Sequence, residues 1–317
     1  MTFLSHLKSG VAQAARAAAG LALGAGLFVS IAPDMAWAQS ADAAAASATD
    51  ARPALWVVRD ADSTLYLFGT VHLMRPEHNW MTPAVTEAFN ESDALWLEIE
   101  DPTDQSAAAP LVMQHGLSPQ QPLSSRLTAE EFAQLDAAAQ TIGLSGAALD
   151  PMRPWLASVS LSVAPLVQAG FDPEAGVDIM LRHHALEAGK PIRGLETIGQ
   201  QLMFFASLPP EDELDFLRST LETFGEGAAV IDQLANAWMA GDVDQLYAVG
   251  GDELKTESPN VYDALLTRRN ADWVNQIREE LAGSGTVFIA VGALHLAGPD
   301  SVQAQLTDAG VQVERLQ

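Results

Sequence analysis

The sequence predicts an α/β fold in which N- and C-terminal blocks form a central mixed β-sheet, with a long, mainly helical insertion (103–283) between them. Two observations support this. Short apolar runs typical of strands occur at both ends of the chain, and amphipathic segments fill the middle. The expected strands are 55–59, 64–68 and 94–100 in the first block, and 285–291 and 311–315 in the second.

Local sequence signals justify these elements in order. The first two strands are separated by Asp60-Ala-Asp-Ser63, which favours a β-hairpin. A helix over 83–90 is expected to begin after Thr82, because Pro83 suits the first position of a helix. The pattern Thr128-Ala-Glu-Glu131 is a capping box before an amphipathic run. Further helices are predicted at 152–168, 174–188, 211–223, 227–239, 242–249, 258–268 and 270–282, with one strand at 190–194.

The composition excludes several classes of function. The 317 residues include 16 Lys and Arg against 41 Asp and Glu, a formal net charge of −25. Such a surface repels phosphate backbones, so we expect no nucleic-acid partner. Cysteine is absent, which excludes disulfides, cysteine-ligated zinc, iron–sulfur clusters and thiol catalysis.

Residues 1–38 have the pattern of an export signal. Lys8 and Arg16 precede an apolar run, and Ala36-Trp37-Ala38 is a small-x-small cleavage pattern. The run has 12 residues, against about 20 needed to span a bilayer, although a retained anchor is the alternative. We therefore expect cleavage after Ala38, a flexible leader at 39–52, a domain at 53–317, a periplasmic or secreted location, and no stable membrane span after cleavage.

One short sequence motif occurs in both predicted strand blocks. Each copy is an apolar strand followed by Gly-x-x-His-Leu, at Gly69–His72 and at Gly292–His295. The glycine is expected to let the chain leave the sheet in a backbone conformation that other residues avoid. The histidine then lies just beyond the strand end, where open α/β sheets bind their ligands. We therefore expect His72 and His295 to face one crevice.

Two histidines at a sheet edge suggest a metal site if a carboxylate joins them. Glu98, near the end of the third strand, is well placed, and Glu100 shares its strand face. With no thiol in the chain, nitrogen and oxygen ligands would admit manganese, iron, cobalt or zinc. The alternative is that both histidines are ordinary hydrogen-bonded loop residues, and the residues alone do not decide between the two. Adjacent His183 and His184 point about 100° apart on a predicted helix, which indicates surface positions.

These motifs resemble the TraB/GumN family, which includes the Tiki-type membrane proteases that cleave Wnt proteins. The resemblance is carried by Leu67-Phe-Gly-Thr-Val-His-Leu73, by Glu91-Ser-Asp-Ala-Leu-Trp-Leu-Glu-Ile-Glu100, and by Gly194-Leu-Glu-Thr197. The family's acidic residue falls on Glu98, and its arginine looks like Arg269, which is followed by Asn270. The similarity extends over 53–317.

The resemblance implies an exported metal-dependent hydrolase, acting on peptides. His72, His295 and Glu98 would hold a divalent metal ion (manganese, cobalt, zinc or iron). Glu196 or Arg269 would stabilise charge or transfer a proton, so Glu98, Glu196 and Arg269 are the expected catalytic residues. The alternative is a non-catalytic periplasmic accessory protein of envelope or polysaccharide metabolism that binds haem, a metal or another ligand. The substrate, a peptide or a small molecule, and the oligomeric state are left open.

Overall fold

A computed structural model describes residues 51–225, 227–257 and 259–317. The predicted signal at 1–38 and the leader up to residue 50 lie outside these ranges. The strands are β1 (Leu55–Arg59), β2 (Ser63–Thr70), β3 (Ala94–Ile99), β4 (Ile192–Glu196), β5 (Gly285–Gly292) and β6 (Val313–Arg315). They form one mixed sheet in the order β4-β3-β5-β2-β1-β6, so the predicted fold class is confirmed.

The sheet joins the two ends of the chain at its centre. Strand β5, from the C-terminal block, pairs in parallel with β2 on one side and with β3 on the other. Strand β4 continues the parallel part beyond β3, and β1 is antiparallel to both β2 and β6. The four mutually parallel strands β2, β5, β3 and β4 therefore end at the same edge of the sheet.

Helices cover both faces of the sheet, which is why the central strands are almost continuously apolar. Tyr66 and Phe68 on β2 belong to a large apolar cluster on one face, whereas Leu65 and Leu67 belong to a smaller cluster on the other. The helices are α1 (Pro83–Glu91), α2 (Gln105–His115), α3 (Ala129–Thr141), α4 (Gly146–Leu149), α5 (Pro154–Gln168), α6 (Val177–Glu187), α7 (Ile198–Ala206), α8 (Pro210–Glu222), α9 (Gly227–Ala240), α10 (Val243–Gly250), α11 (Asp252–Glu257), α12 (Pro259–Tyr262), α13 (Arg268–Leu281) and α14 (Val302–Asp308).

Helix α13 covers the face of the smaller cluster. Its apolar residues Trp273, Val274 and Ile277 pack there with Trp96 of β3. Because side chains alternate along a strand, Glu98 has the same orientation as Trp96 and points to the side of α13. This packing brings helix α13 to the end of β3 where the predicted site lies.

Several details of the helical region differ from the sequence prediction, which had no helix at the positions of α2, α4, α7 and α11. The helices expected at 258–268 and 270–282 are joined by a π-helical segment, Asp263–Thr267, so that α13 begins at Arg268. Helix α2 was not predicted, because it carries Pro110 in its interior and has no clear apolar stripe. Of the helices that the structure describes, none is long and apolar enough to span a membrane.

The glycine of the first Gly-x-x-His motif has a different role from the one expected. Neither Gly69 nor Gly292 has a positive φ angle, so a special backbone conformation is not the reason for glycine here. A Cβ atom on Gly69 would lie 3.1 Å from the Cα atom of Ala293 in the second motif. The Gly69 carbonyl also accepts a hydrogen bond of 2.8 Å from the Trp238 indole. Gly69 therefore allows the two motifs to approach each other closely.

We expect Gly69→Ala to lower the free energy of unfolding by roughly 1–3 kcal/mol, because the added methyl group overpacks the contact with Ala293. Gly199→Ala is a matched control, since a Cβ at that helical position meets its nearest atom, on Leu111, at an ordinary 3.6 Å. The control should be neutral or stabilising. Urea denaturation of both variants measures the difference, and an equal stability of G69A and wild type would contradict the close-approach argument.

Candidate functional site

The parallel strands bring four predicted site residues to one edge of the sheet. His72 lies two residues beyond β2, Glu98 is the penultimate residue of β3, and Glu196 ends β4. His295 lies in the 3₁₀ turn Ala293–Leu296 that follows β5. The edge is the one at which open α/β sheets bind ligands.

Arg269 enters the same region from helix α13. Its side chain is 1% exposed, and its Nη1 donates to the Leu265 carbonyl over 3.0 Å. Leu265 belongs to the π-helical segment, a form of backbone that is frequent at functional sites. The guanidinium lies against the rings of Trp273 and Phe204, at 4.8 and 5.2 Å from their centroids. The guanidinium is thus held between two aromatic rings inside the protein.

Both oxygens of the Glu98 carboxylate accept hydrogen bonds. Oε1 accepts from the Gly292 backbone N–H over 2.7 Å. Oε2 accepts from Arg269 Nη2 over 2.7 Å and from Gln201 Nε2 over 2.8 Å. His295 Nε2 lies 3.8 Å from Oε1. A buried carboxylate with this set of donors is expected to be ionised.

Glu196 shares the same guanidinium with Glu98. Arg269 Nε donates to the Glu196 oxygens over 3.0 and 3.2 Å, and Nη2 donates over 2.9 Å. Gln201 Nε2 also donates to Glu196 over 3.2 Å. Arg269 and Gln201 therefore bridge two carboxylates that come from neighbouring strands.

The contacts of His295 define its tautomer. Asn270 Nδ2 donates to the Asp300 carbonyl over 2.8 Å, so its Oδ1 is the atom that faces His295 Nδ1, at 2.5 Å. Nδ1 must then carry a hydrogen and donate it to Asn270. Nε2 keeps its lone pair and lies 3.1 Å from Arg269 Nη1, from which it accepts. His295 is thus a neutral imidazole fixed on both nitrogens.

His72 pairs with an aspartate on another helix. Its Nδ1 lies 3.1 Å from Oδ2 of Asp178, in the first turn of α6. The Val177 N–H donates to the Val71 carbonyl over 2.9 Å and so fixes the start of α6 against the motif. Gly176 allows this approach, because a Cβ there would lie 2.5 Å from the His72 carbonyl oxygen. Asp178 therefore lies at ion-pair distance from the imidazole, although the contact lacks the geometry of a hydrogen bond.

A small cavity adjoins His72. It leaves about 10 Å³ for the centre of a water-sized sphere, which is room for one water molecule or one small ion. Several buried polar atoms around it make no hydrogen bond among the described residues: both ring nitrogens of His72, Thr70 Oγ1 and Asp178 Oδ1. The lining residues are Thr70, His72, Leu97, Glu98, Ile99, Pro102, Asp178 and Ala290. Unsatisfied donors and acceptors around a water-sized space indicate a polar guest.

The two carboxylates differ in proton affinity. Burial by itself would raise the pKa of Glu98, but the Arg269 guanidinium above all, together with the protonated form of His72 and the Gly292 N–H, outweighs burial and lowers this pKa to about 2. Burial raises the pKa of Glu196 above its ordinary value, and Arg269 only partly offsets this. Two carboxylates with pKa values shifted in opposite directions suit opposite parts in acid–base chemistry.

The pKa of His72 is raised as well. Burial alone would lower it, but the Asp178 carboxylate, with a smaller contribution from Glu98, favours the protonated imidazole. A histidine backed by a carboxylate is the arrangement of a general base. His72 lines the cavity, and its Nε2 makes no hydrogen bond among the described residues.

The three expected metal ligands do not fit an ion in this arrangement. Among the described ranges of the chain, no three His, Asp or Glu side chains form a group that could hold a metal. The donor atoms are of the right kind, but Arg269 lies against both Glu98 Oε2 and His295 Nε2. The divalent metal ion expected from the sequence therefore stays a prediction.

The sequence analysis did not assign three residues to this site: Asp178, Gln201 and Asn270. Asp178 had no signal, because an aspartate in the first turn of a helix ordinarily complements the helix dipole. Asn270 was noted only as the residue that follows Arg269, and Gln201 was given no part. His183 is exposed, as predicted.

We expect Glu98→Gln to be less stable than wild type by about 3 kcal/mol near neutral pH, because a lowered pKa stabilises the folded state. The carboxyl titrates near 4.5 when unfolded and about 2 when folded. The contribution of the Glu98 carboxylate to the free energy of unfolding is complete above pH 4.5 and is lost as the pH falls towards 2. Urea denaturation across this range should show the difference between the two proteins narrowing.

Glu100→Gln is the matched control, because Glu100 is exposed on the same strand end. The free energy of unfolding of E100Q should differ from that of wild type by less than about 0.5 kcal/mol at every pH. A pH-independent difference between E98Q and wild type would contradict a lowered pKa for Glu98.

The comparisons with known proteins agree with the motifs. The TraB/PrgY/gumN family model matches residues 54–315. Uncharacterized protein YbaP of Escherichia coli (strain K12) is 24% identical over 254 residues, which cover 80% of this chain and 92% of the relative. Uncharacterized protein YbaP of Shigella flexneri gives the same values. No solved structure matches significantly. The chain belongs to the TraB/PrgY/gumN family.

Proposed function

We propose that this protein is a hydrolase in which His72 activates a water molecule in the small cavity. The observation that carries the proposal is the His72–Asp178 pair beside a water-sized cavity that both residues line. His72 Nδ1 lies 3.1 Å from Asp178 Oδ2, and neither ring nitrogen makes a hydrogen bond among the described residues. Asp178 stabilises the imidazolium that forms. A base backed in this way contributes roughly 10²–10⁴ to a rate.

The reaction is carried by the chain's own residues. The water oxygen attacks the substrate carbonyl carbon while a proton of the water moves to His72 Nε2. Glu196, with its raised pKa, supplies a proton to the leaving nitrogen as the carbon–nitrogen bond breaks. His72 then releases its proton to bulk water and Glu196 takes one up from bulk water, which restores the starting protonation states. Glu98 stays ionised and, through Arg269, holds Glu196 in place.

The peptide substrate and the divalent metal follow from the family resemblance alone and stay proposals. The haem-binding alternative is less well supported, because ligand pockets measure about 300–1,000 Å³ and the space beside His72 is about 10 Å³. The same size means that the residues lining the cavity must move apart when a substrate binds.

A cleavage assay tests the proposal. The purified protein is incubated with a library of fluorescence-quenched peptides, and products are identified by mass spectrometry in water enriched in ¹⁸O. We expect at least one peptide to be cleaved with ¹⁸O in the new carboxylate. His72→Ala should lower kcat by about 100-fold or more. Asp178→Asn should also lower kcat.

His183→Ala is the matched control, because His183 is exposed on the same helix as Asp178, and it should retain wild-type kcat. Circular dichroism checks that all variants are folded. The proposal fails if wild type cleaves no peptide in the library, or if H72A keeps full activity.

The proposed location is the periplasm or the exterior, from the export pattern of residues 1–38. Intact-mass spectrometry of exported protein should give a chain that begins at Gln39, because Ala36 and Ala38 fit the small-x-small rule. Ala38→Arg should block processing. Exported wild-type material that retains Met1 would contradict cleavage.

A further inference from the structure

The centre of the site is occupied by a cation that belongs to the chain. The guanidinium of Arg269 contacts Glu98 Oε2 at 2.7 Å, Glu196 Oε2 at 2.9 Å and His295 Nε2 at 3.1 Å. These are two carboxylate oxygens and one imidazole lone pair. They are the same kinds of atom that a divalent ion takes from a protein.

A divalent ion and this guanidinium cannot share these atoms. An ion bound to Glu98 and His295 would lie about 2.0–2.2 Å from each donor atom. The nitrogens of Arg269 already approach the same two atoms to 2.7 and 3.1 Å, so the ion and the nitrogens would overlap. Two positive groups at such a distance in a buried site also repel strongly.

The position of Arg269 is fixed by several elements. The π-helical segment gives the Leu265 carbonyl as an acceptor, and Trp273 and Phe204 lie along the guanidinium. His295 in turn packs against Trp273 in a tilted arrangement, with ring centroids 4.3 Å apart. Displacing the guanidinium would leave two carboxylates buried without compensation, which is strongly unfavourable.

We infer that Arg269 is the resident cation of this site, and that a divalent ion binds to Glu98 and His295 only where the guanidinium is absent. Arg269 then neutralises the two carboxylates in the way a metal does in a metal-dependent relative. The inference concerns cation binding and does not depend on whether the protein hydrolyses peptides.

Metal titration of variants tests this inference. Full-length protein is treated with EDTA, dialysed, and titrated with MnCl₂, CoCl₂ or ZnCl₂ by isothermal calorimetry, with melting temperatures measured in parallel. Arg269→Ala should melt below wild type in EDTA and recover when an ion is added. Its affinity for at least one of these ions should exceed that of wild type by about tenfold or more.

Two controls separate charge replacement from general destabilisation. Arg269→Lys keeps the positive charge, so its affinity for the added divalent ions should stay close to that of wild type. Arg153→Ala removes a different partly buried arginine, which pairs with the buried Glu213, and its melting temperature should fall without recovery on adding metal.

The inference is overturned if wild type binds one equivalent of ion as tightly as R269A, with loss of binding in H295A. It is also overturned if R269A gains no affinity. Where R269A does not fold, Arg269→Met, which keeps the length of the side chain without its charge, takes its place with the same expectations. Neither result depends on the peptide assay, so a failure here is distinguishable from a failure of the hydrolase proposal.

Discussion

The buried ion cluster around Arg269 is the interaction on which the arrangement of the site depends. Glu98 and Glu196 end two neighbouring parallel strands, and each is placed inside the protein beside the other. Burying two carboxyl groups side by side costs hydration and, when both are ionised, repulsion, so a positive group beside them stabilises the fold. Arg269 supplies it and also takes the lone pair of His295. Because the guanidinium joins β3, β4, α13 and the turn after β5, the end of the sheet and helix α13 are fixed together.

The Gly-x-x-His motifs act at this edge in different ways, although their sequences are alike. His295 is held on both nitrogens, by Asn270 and Arg269, and is 0% exposed. His72 lies at ion-pair distance from Asp178, lines a small cavity, and makes no hydrogen bond through either ring nitrogen among the described residues. One histidine therefore stabilises the charged cluster while the other can exchange a proton with a guest molecule. The close contact between Gly69 and Ala293 keeps the two motifs next to each other.

Much of the fold could be predicted from local pattern, because strands and helices differ in the period of their apolar residues. The central parallel strands were found within a few residues of their observed ends, and so was helix α5 with Pro154 at its start. The π-helical segment before α13 was not foreseen, because a single extra residue in a helical run leaves the apolar pattern nearly unchanged. The special backbone conformation expected at Gly69 was also wrong. The glycine is needed because of its close approach to Ala293, which lies 224 positions further along the sequence and therefore leaves no local sequence signal.

The sequence by itself determined which side chains reach the edge of the sheet. An apolar strand followed by Gly-x-x-His delivers His72 and His295 there, and the ends of β3 and β4 deliver Glu98 and Glu196. Only the tertiary structure decided what these residues do to one another. The rotation of α13, set by the π-helical segment and by Trp273 in the core, turns the guanidinium of Arg269 inward, and the docking of α6 against Val71 brings Asp178 to His72. The positions of Arg269 and Asp178 both depend on the packing of segments that are far apart in the chain. A local sequence pattern cannot predict charge pairs between such segments.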